Sequence, residues 1–199
     1  MSQSIFSNDP FEQLSTWLEE AEKADLSISN AMTIATIGLD GYPKCRTVLL
    51  KEFDGKRIKF FTNYNSDKGK ELEENPNISA MFYWWPPLDY QLRIEGRVVK
   101  LSSEESDSYY NSRPEGSRIG AWASDQSKIM KNPDELKSRL EKTIQGFDHT
   151  EITRPDYWGG YEIIPHKMEF MILRTSRLHD RLRFTLDSDN QWQQNWIYP

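Results

Sequence analysis

Two Asp-Gly steps constrain the fold of this chain more than any other feature. Asp40-Gly41 lies between runs 31–37 and 46–53, and Asp54-Gly55 lies between 46–53 and 57–62. All three runs are rich in β-branched and aromatic residues. Glycine after aspartate supplies the positive φ that a tight hairpin turn needs, so these runs are predicted to fold back on one another as antiparallel strands. Further strand-like runs cover 78–85 and 90–101, parted by Pro86-Pro87, then 160–164, 168–174, 181–186 and 192–198. Asp187 to Asn190 reads as the last hairpin turn.

Four helices are predicted between the strands. Asp9-Pro10-Phe11-Glu12 has a cap residue, proline in the first turn and an acid behind it, and Phe11, Leu14, Leu18 and Ala21 keep helical spacing. A short helix over 66–74 is stopped by Asn75-Pro76. Ser102-Ser103-Glu104-Glu105 is a capping box for a helix reaching about Ser112. Asn132-Pro133-Asp134-Glu135 opens the last one, with Leu136, Leu140 and Ile144 on one face and Gly146 near its end. The βαβ alternation of a doubly wound sheet is missing, as are the glycine-rich dinucleotide and Walker motifs. The expected architecture is mainly β: an antiparallel β-barrel with peripheral helices. At 199 residues it is expected to form a single domain, with 1–8 a flexible N-terminal segment.

Charge and composition narrow the function. A net charge of -6 argues against general nucleic-acid binding, which needs a basic surface. No apolar run approaches the roughly 20 residues that span a bilayer, and the N-terminus lacks the basic and apolar regions of a secretory signal. Cys45 is the only cysteine, so no intrachain disulfide and no cysteine zinc site can form, and a reducing, cytoplasmic location is expected. No metal site is expected.

Four clusters carry candidate chemistry. In Ser66-Asp67-Lys68-Gly69-Lys70, Ser66 is placed to cap a helix whose free N–H groups suit a phosphate, Lys68 adds a full charge, and Gly69 would admit a ligand close to the backbone. A capped surface helix with solvated lysines has the same sequence. Arg46 to Lys51 is an apolar strand with a cation at each end, and regular alternation puts Arg46 and Lys51 on opposite faces. They serve different partners, a bulge re-aims one, or both reach solvent at a sheet edge. Tyr109 to Ser117 combines Tyr109, Arg113 and Ser117 around a Pro-Gly turn, the donors a phosphate monoester prefers, although a plain helix end looks similar. In Arg177-Leu178-His179-Asp180-Arg181, an extended backbone would point Arg177, His179 and Arg181 to one face, where an anion or acceptor would relieve their repulsion. His179 is the best histidine for a site, while His149 and His166 are expected in loops facing solvent. Gln126-Ser127 and Gln91 offer neutral donors and acceptors that are uninformative alone.

Together these segments resemble the pyridoxamine/pyridoxine 5′-phosphate oxidase family. The matching pieces run in order from Arg46 to Lys51, Phe60 to Asn63, Ser66 to Pro76, Tyr109 to Ser124, Gln126-Ser127, Tyr157 to Gly160 and Arg177 to Arg181. The resemblance implies a split β-barrel homodimer with FMN at the subunit interface. It implies that Arg46, Thr47, Val48, Leu49, Leu50, Lys51, Phe61, Thr62, Ser66, Lys68, Gln91, Gln126, Ser127 and Arg181 line the FMN site. It also implies that Lys51, Tyr109, Arg113 and Ser117 hold the substrate phosphate, with Arg177 and His179 over the pyridine ring as the catalytic pair. The implied reaction oxidises pyridoxine or pyridoxamine 5′-phosphate to pyridoxal 5′-phosphate, with dioxygen as acceptor and peroxide as product. Three positions depart from the family: Asp67 stands where Arg is usual, Met171 where Trp is usual, and Trp196-Ile197-Tyr198-Pro199 replaces a usual Arg-Leu-x-Pro. An acid near a phosphate predicts weaker FMN binding. The competing readings are a related flavin oxidoreductase with another substrate, and a non-catalytic flavin- or pyridoxal-phosphate-binding protein.

Overall fold

The computed structural model describes residues 5–24, 26–147 and 152–199. The elements run α1 (Pro10–Lys23), β1 (Ala31–Ile37), β2 (Pro43–Leu49), β3 (Glu52–Phe53), β4 (Ile58–Asn63), α2 (Asp67–Glu74), β5 (Asn77–Trp84), β6 (Tyr90–Lys100), α3 (Ser103–Ser112), α4 (Glu115–Ala123), α5 (Pro133–Gly146), β7 (Trp158–Ile172), a 3-10 turn (Thr175–Arg177), β8 (Asp180–Leu186) and β9 (Trp192–Trp196). The hairpin turns fall where the Asp-Gly steps predict them, with φ of 82° at Gly41 and 91° at Gly55.

Every strand pairing is antiparallel, in the order β2-β1-β5-β6-β7-β4-β3, with β8 attached to β7 and β9 to β8. β7 pairs with β4 through its first half and with β8 through its second, while β6 runs along its other side. One long strand therefore serves two sheets' worth of neighbours, and the barrel splits where β4 gives way to β8. The mainly-β split barrel with peripheral helices expected from the sequence is the observed fold.

Alternation divides each strand between two faces. Met32, Ile34, Ala80, Phe82, Leu92, Ile94, Met168, Phe170, Leu182 and Phe184 turn inward and are almost completely buried. α1 closes this core: Trp17 stacks on Tyr90 at 4.2 Å and meets Phe170 edge-on. Phe6, within the segment expected to be loose, is 3% exposed and packs on Trp17 and Trp196. The outward face carries one row across six strands, set by register: Thr47, Thr33, Met81, Arg93, Glu169 and Arg183. A second, smaller core of Tyr110, Ile119, Ile152 and Trp158 lies beneath α3 and α4.

The structure corrects four local expectations. Residues 46–53 are not one strand: Leu50 donates to Asn30 O but Lys51 donates to Lys59 O, so the chain changes partner from β1 to the β4 side at this step. Residues 115–123 form a helix instead of a turn, because Pro114 caps it and Gly116 falls in its first turn, where neither residue harms the helix. Residues 160–164 and 168–172 belong to one strand, which ends two residues short of the expected 174, since Pro165 lies opposite Gly96 at a register shift, where a missing N–H is tolerated and a Cβ at Gly96 would overlap the Ile164 carbonyl. His166 thus sits in a strand, exposed, while His149 lies outside the described residues. Among the described residues no helix is long and apolar enough to cross a membrane.

Candidate active site

The site is framed by α3, whose start is fastened to the barrel by charge. Glu105 completes the Ser102 capping box and also accepts from Arg57 Nη1 at 2.7 Å and Lys59 Nζ at 3.2 Å. Arg57 reaches on to Glu162, and Lys59 to Glu52. The Arg57 guanidinium beside it holds the Glu105 carboxyl down at about 2. Farther along, the Tyr110 hydroxyl donates to Arg118 O at 2.8 Å, which ties α4 to α3. This frame fixes Tyr109 and Arg113 over the mouth of the barrel seam.

They face a groove of about 300 Å³. One wall is Thr47, Val48 and Leu49 of β2 with Lys51 beyond it; Phe61, Thr62 and Asn63 of β4 form the floor; Lys68 closes one end from α2. Tyr109, Arg113, Gln126 and Trp158 form the other wall. A hollow of about 280 Å³ continues from it, sharing Asn63, Arg113, Gln126 and Trp158 and adding Ser117. Tyr109 stacks on Phe61 at 3.8 Å, and the Arg113 guanidinium lies 4.4 Å over the Trp158 ring. These contacts hold both side chains in single orientations.

The electrostatics of the groove are unusual for this molecule. Lys68 is 8% exposed, yet among the described residues its ammonium hydrogen-bonds only to hydroxyls, Thr62 Oγ1 at 3.3 Å and Ser66 Oγ at 3.4 Å. Burial pushes its pKa down, and the Arg46 charge adds to this, outweighing the opposing charges of Asp67 and Glu71. Arg113 has no acidic partner among the described residues, its Nη1 is buried without a hydrogen bond, and burial pushes its pKa down as well. Burial raises the Tyr109 phenol, which therefore stays protonated at neutral pH as a donor. Unpaired buried cations cost stability unless an anion arrives. Buried Lys68 and half-buried Arg113, with a phenol and the start of α2, suit phosphate monoesters.

The sequence-predicted residues divide into two groups. Thr47, Val48, Leu49, Lys51, Phe61, Thr62, Lys68, Tyr109, Arg113, Ser117 and Gln126 share the groove. Ser66 supports it from below, capping α2 and donating to Asn63 O at 2.6 Å. Arg46 instead donates to Thr36 and to Glu71 at 2.7 Å, and Leu50 turns into the core. Gly69 faces the Tyr64 carbonyl, which a Cβ would overlap, so its smallness serves helix packing and not a ligand as expected. Asp67 is exposed beside the groove and does not line it. Ser127, with φ of 73°, lines a separate hollow beside α5.

Gln91, Arg181, Arg177 and His179 are elsewhere. Gln91 and Arg181 flank Met171 across β6, β7 and β8, on the outward face. Trp158 and Met171 are thirteen residues apart on β7, roughly 40 Å along a straight strand. The segment 177–181 is not extended: Ser176 and Arg177 have φ of 58° and 61°. Arg177 and His179 therefore do not alternate with Arg181 as predicted. His179 Nδ1 accepts from Arg174 N at 3.0 Å, leaving Nε2 to carry the proton of the neutral ring.

Two groove residues had no predicted role. Asn63 is buried, lines both hollows, and shapes the turn into α2 by accepting from Asn65 N at 2.7 Å. Trp158 supports Arg113. Their only sequence signal is membership of the matching segments 60–63 and 157–160.

Comparison with known proteins identifies the family and the fold. Residues 18–145 match the family model described as pyridoxamine 5′-phosphate oxidase, and residues 158–199 match the pyridoxine 5′-phosphate oxidase C-terminal dimerisation region. The chain is 47% identical over 199 residues to a pyridoxine/pyridoxamine 5′-phosphate oxidase of Trichormus variabilis, covering 100% of this chain and 92% of that one. It is 49% identical over 191 residues to the protein of the same name from Nostoc sp., covering 96% and 89%. Among solved structures, PhzG from Burkholderia lata, in complex with tetrahydrophenazine-1-carboxylic acid, superposes with a TM-score of 0.88 at 29% identity over 97% of this chain and 94% of that one.

Proposed function

The chain belongs to the pyridoxamine 5′-phosphate oxidase family, and we propose that it oxidises pyridoxine or pyridoxamine 5′-phosphate to pyridoxal 5′-phosphate as an FMN-dependent homodimer. The observation that carries this reading is that buried Lys68 and half-buried Arg113, whose Nη1 is shut off from solvent, share one groove with no ion-pair partner among the described residues. The reaction brings together two phosphate monoesters, one on the cofactor and one on the substrate. The groove offers Lys68 to one and Arg113 with Lys51 to the other, so the residues present fit FMN.

Lys68, Thr62 and the first turn of α2 hold the FMN phosphate, and Thr47 to Leu49 with Gln126 border the rest of the cofactor. Bound FMN would supply a two-electron acceptor for the C4′ hydride, the substrate's hydroxyl or amine proton passing to solvent; with the amine, water would then replace the nitrogen as ammonia, and dioxygen would take the two electrons with two protons and leave as hydrogen peroxide. Arg113, Tyr109, Ser117 and Lys51 bind the substrate phosphate. The guanidinium supplies a fixed charge and the protonated phenol a hydrogen bond. Because the phosphate is remote from the reacting carbon, its binding energy serves orientation. The aromatic stack of Phe61, Tyr109 and Trp158 keeps these donors from following a mobile ligand.

Arg177, His179, Gln91 and Arg181 come from the second copy. Gln91, Met171 and Arg181 lie at the end of β7 away from Trp158, outside the groove, with roughly 40 Å of strand contour between Trp158 and Met171, and residues 158–199 match a dimerisation region. In the partner's groove, Arg177 covers the substrate ring and excludes water, and His179 donates from Nε2 to a ring substituent.

Aerobic turnover of pyridoxine 5′-phosphate by purified protein with added FMN, following pyridoxal 5′-phosphate and peroxide together, tests the reading. Both products are expected, and Arg113→Ala is expected to raise KM by about a hundredfold. A folded, FMN-saturated protein that forms neither product would exclude this activity.

A further inference from the structure

We infer that Glu169 is a positioning residue that aims the Arg181 guanidinium at the flavin of the second copy. This rests on the reading that Arg181 serves the cofactor. Glu169 is 2% exposed on the outward face of β7, where three arginines surround it. Arg93 on β6 and Arg183 on β8 are its direct cross-strand neighbours, and both bond Oε2, with Nη2 of Arg93 at 2.8 Å and Nη2 and Nε of Arg183 at 3.1 and 3.3 Å. Arg181 stands opposite Met171, two residues along, and reaches back to Oε1 with Nη2 at 2.6 Å and Nε at 3.2 Å.

One carboxylate oxygen is thus saturated by the two neighbours, and the other is kept for Arg181 alone. The paired contact fixes the plane of the guanidinium, and Tyr198 O accepts from Nη1 at 2.9 Å to fix its far end. Three of the five N–H donors of Arg181 are then used inside the chain. The two that remain, one on each terminal nitrogen, are held in a set direction beside Met171 and Gln91. One acid among three arginines also leaves two net positive charges on this part of the face, which suits the approach of an anionic cofactor. Arg181, Arg183 and Arg93 together hold the Glu169 carboxyl below its usual range despite its burial, so it stays charged.

A double-mutant cycle read by FMN dissociation constant tests this, with the melting temperature of each apo-protein measured alongside. Titrating FMN into Glu169→Gln is expected to raise Kd about tenfold, and Arg181→Gln at least as much. The double variant is expected to match Arg181→Gln alone. Arg183→Gln, which leaves the Arg181 contact in place, is expected to keep Kd within about twofold. Additive losses in the double variant, or a wild-type Kd for Glu169→Gln, would overturn the inference. An unchanged Kd for Arg181→Gln would remove the role of Arg181 itself, and the inference with it, while leaving the groove residues untouched. If Glu169→Gln does not fold, Glu169→Asp, which keeps the charge but loses the reach, takes its place in the same cycle with the same expected outcomes.

Discussion

The two ends of β7 treat positive charge in opposite ways. Around Trp158, Lys68 is buried and Arg113 half-buried, and neither forms an ion pair among the described residues. Around Met171, one buried acid, Glu169, is matched three times over. The first arrangement is destabilising until a ligand supplies the missing charge. The second is complete within the chain and leaves only selected N–H groups facing outward. A binding groove and a positioning clamp are therefore distinguishable by where the counter-charge resides, even though the sequence presents both as clusters of basic residues.

The contrast predicts effects of different size. Replacing Lys68 by methionine removes a buried, unmatched charge at nearly constant volume. FMN Kd is expected to rise about a hundredfold, while the apo-protein melts about 2–6 °C higher. Fluorescence titration and calorimetry of the apo-protein check the two effects separately. A loss of apo stability would mean that Lys68 is satisfied inside the fold, and the contrast would fail. Arg93→Gln at the other end leaves Glu169 two partners and removes a side chain that is 44% exposed. It is expected to cost less than about 1 kcal/mol in urea unfolding and to leave turnover near wild type. A smaller effect concerns the frame. The folded Glu105 carboxyl sits at about 2, below its ordinary 4.5. A depressed acid contributes stability above the unfolded value and loses it as pH falls through the folded one. The difference in melting temperature between wild type and Glu105→Gln should be full at pH 5–7 and shrink steadily from about 4.5 to 2.

Most of the barrel was legible because its signals are local. Asp54-Gly55 and the alternation in 78–84 specify turn and strand without reference to distant residues. The misreadings arose where one residue has two meanings. Pro114 with Gly116 resembles a turn but also starts a helix, and Pro165 breaks a strand except at a bulge, which only the partner Gly96 reveals. Within the site, the motif residues that converge on the groove could be named from the resemblance, but their charge balance could not. Arg46 and Lys68 look alike in sequence, and only the fold brings Glu71 to one and leaves the other with hydroxyls. The turn at Arg177 depends on positive φ at two non-glycine residues, which no alternation rule anticipates.

Mixed dimers test the central claim, that one active site joins the groove of one copy to the Met171 end of the other. A chain carrying Arg113→Ala is refolded in equal amounts with a chain carrying Arg177→Ala, and turnover is read at substrate well below the raised KM, where each variant alone is nearly inactive. Half of the resulting dimers are mixed, and each mixed dimer has one site with both arginines intact, so about a quarter of wild-type turnover should return. Activity no greater than that of either variant alone, with mixed dimers present, would place both arginines in the same copy's site and contradict the account.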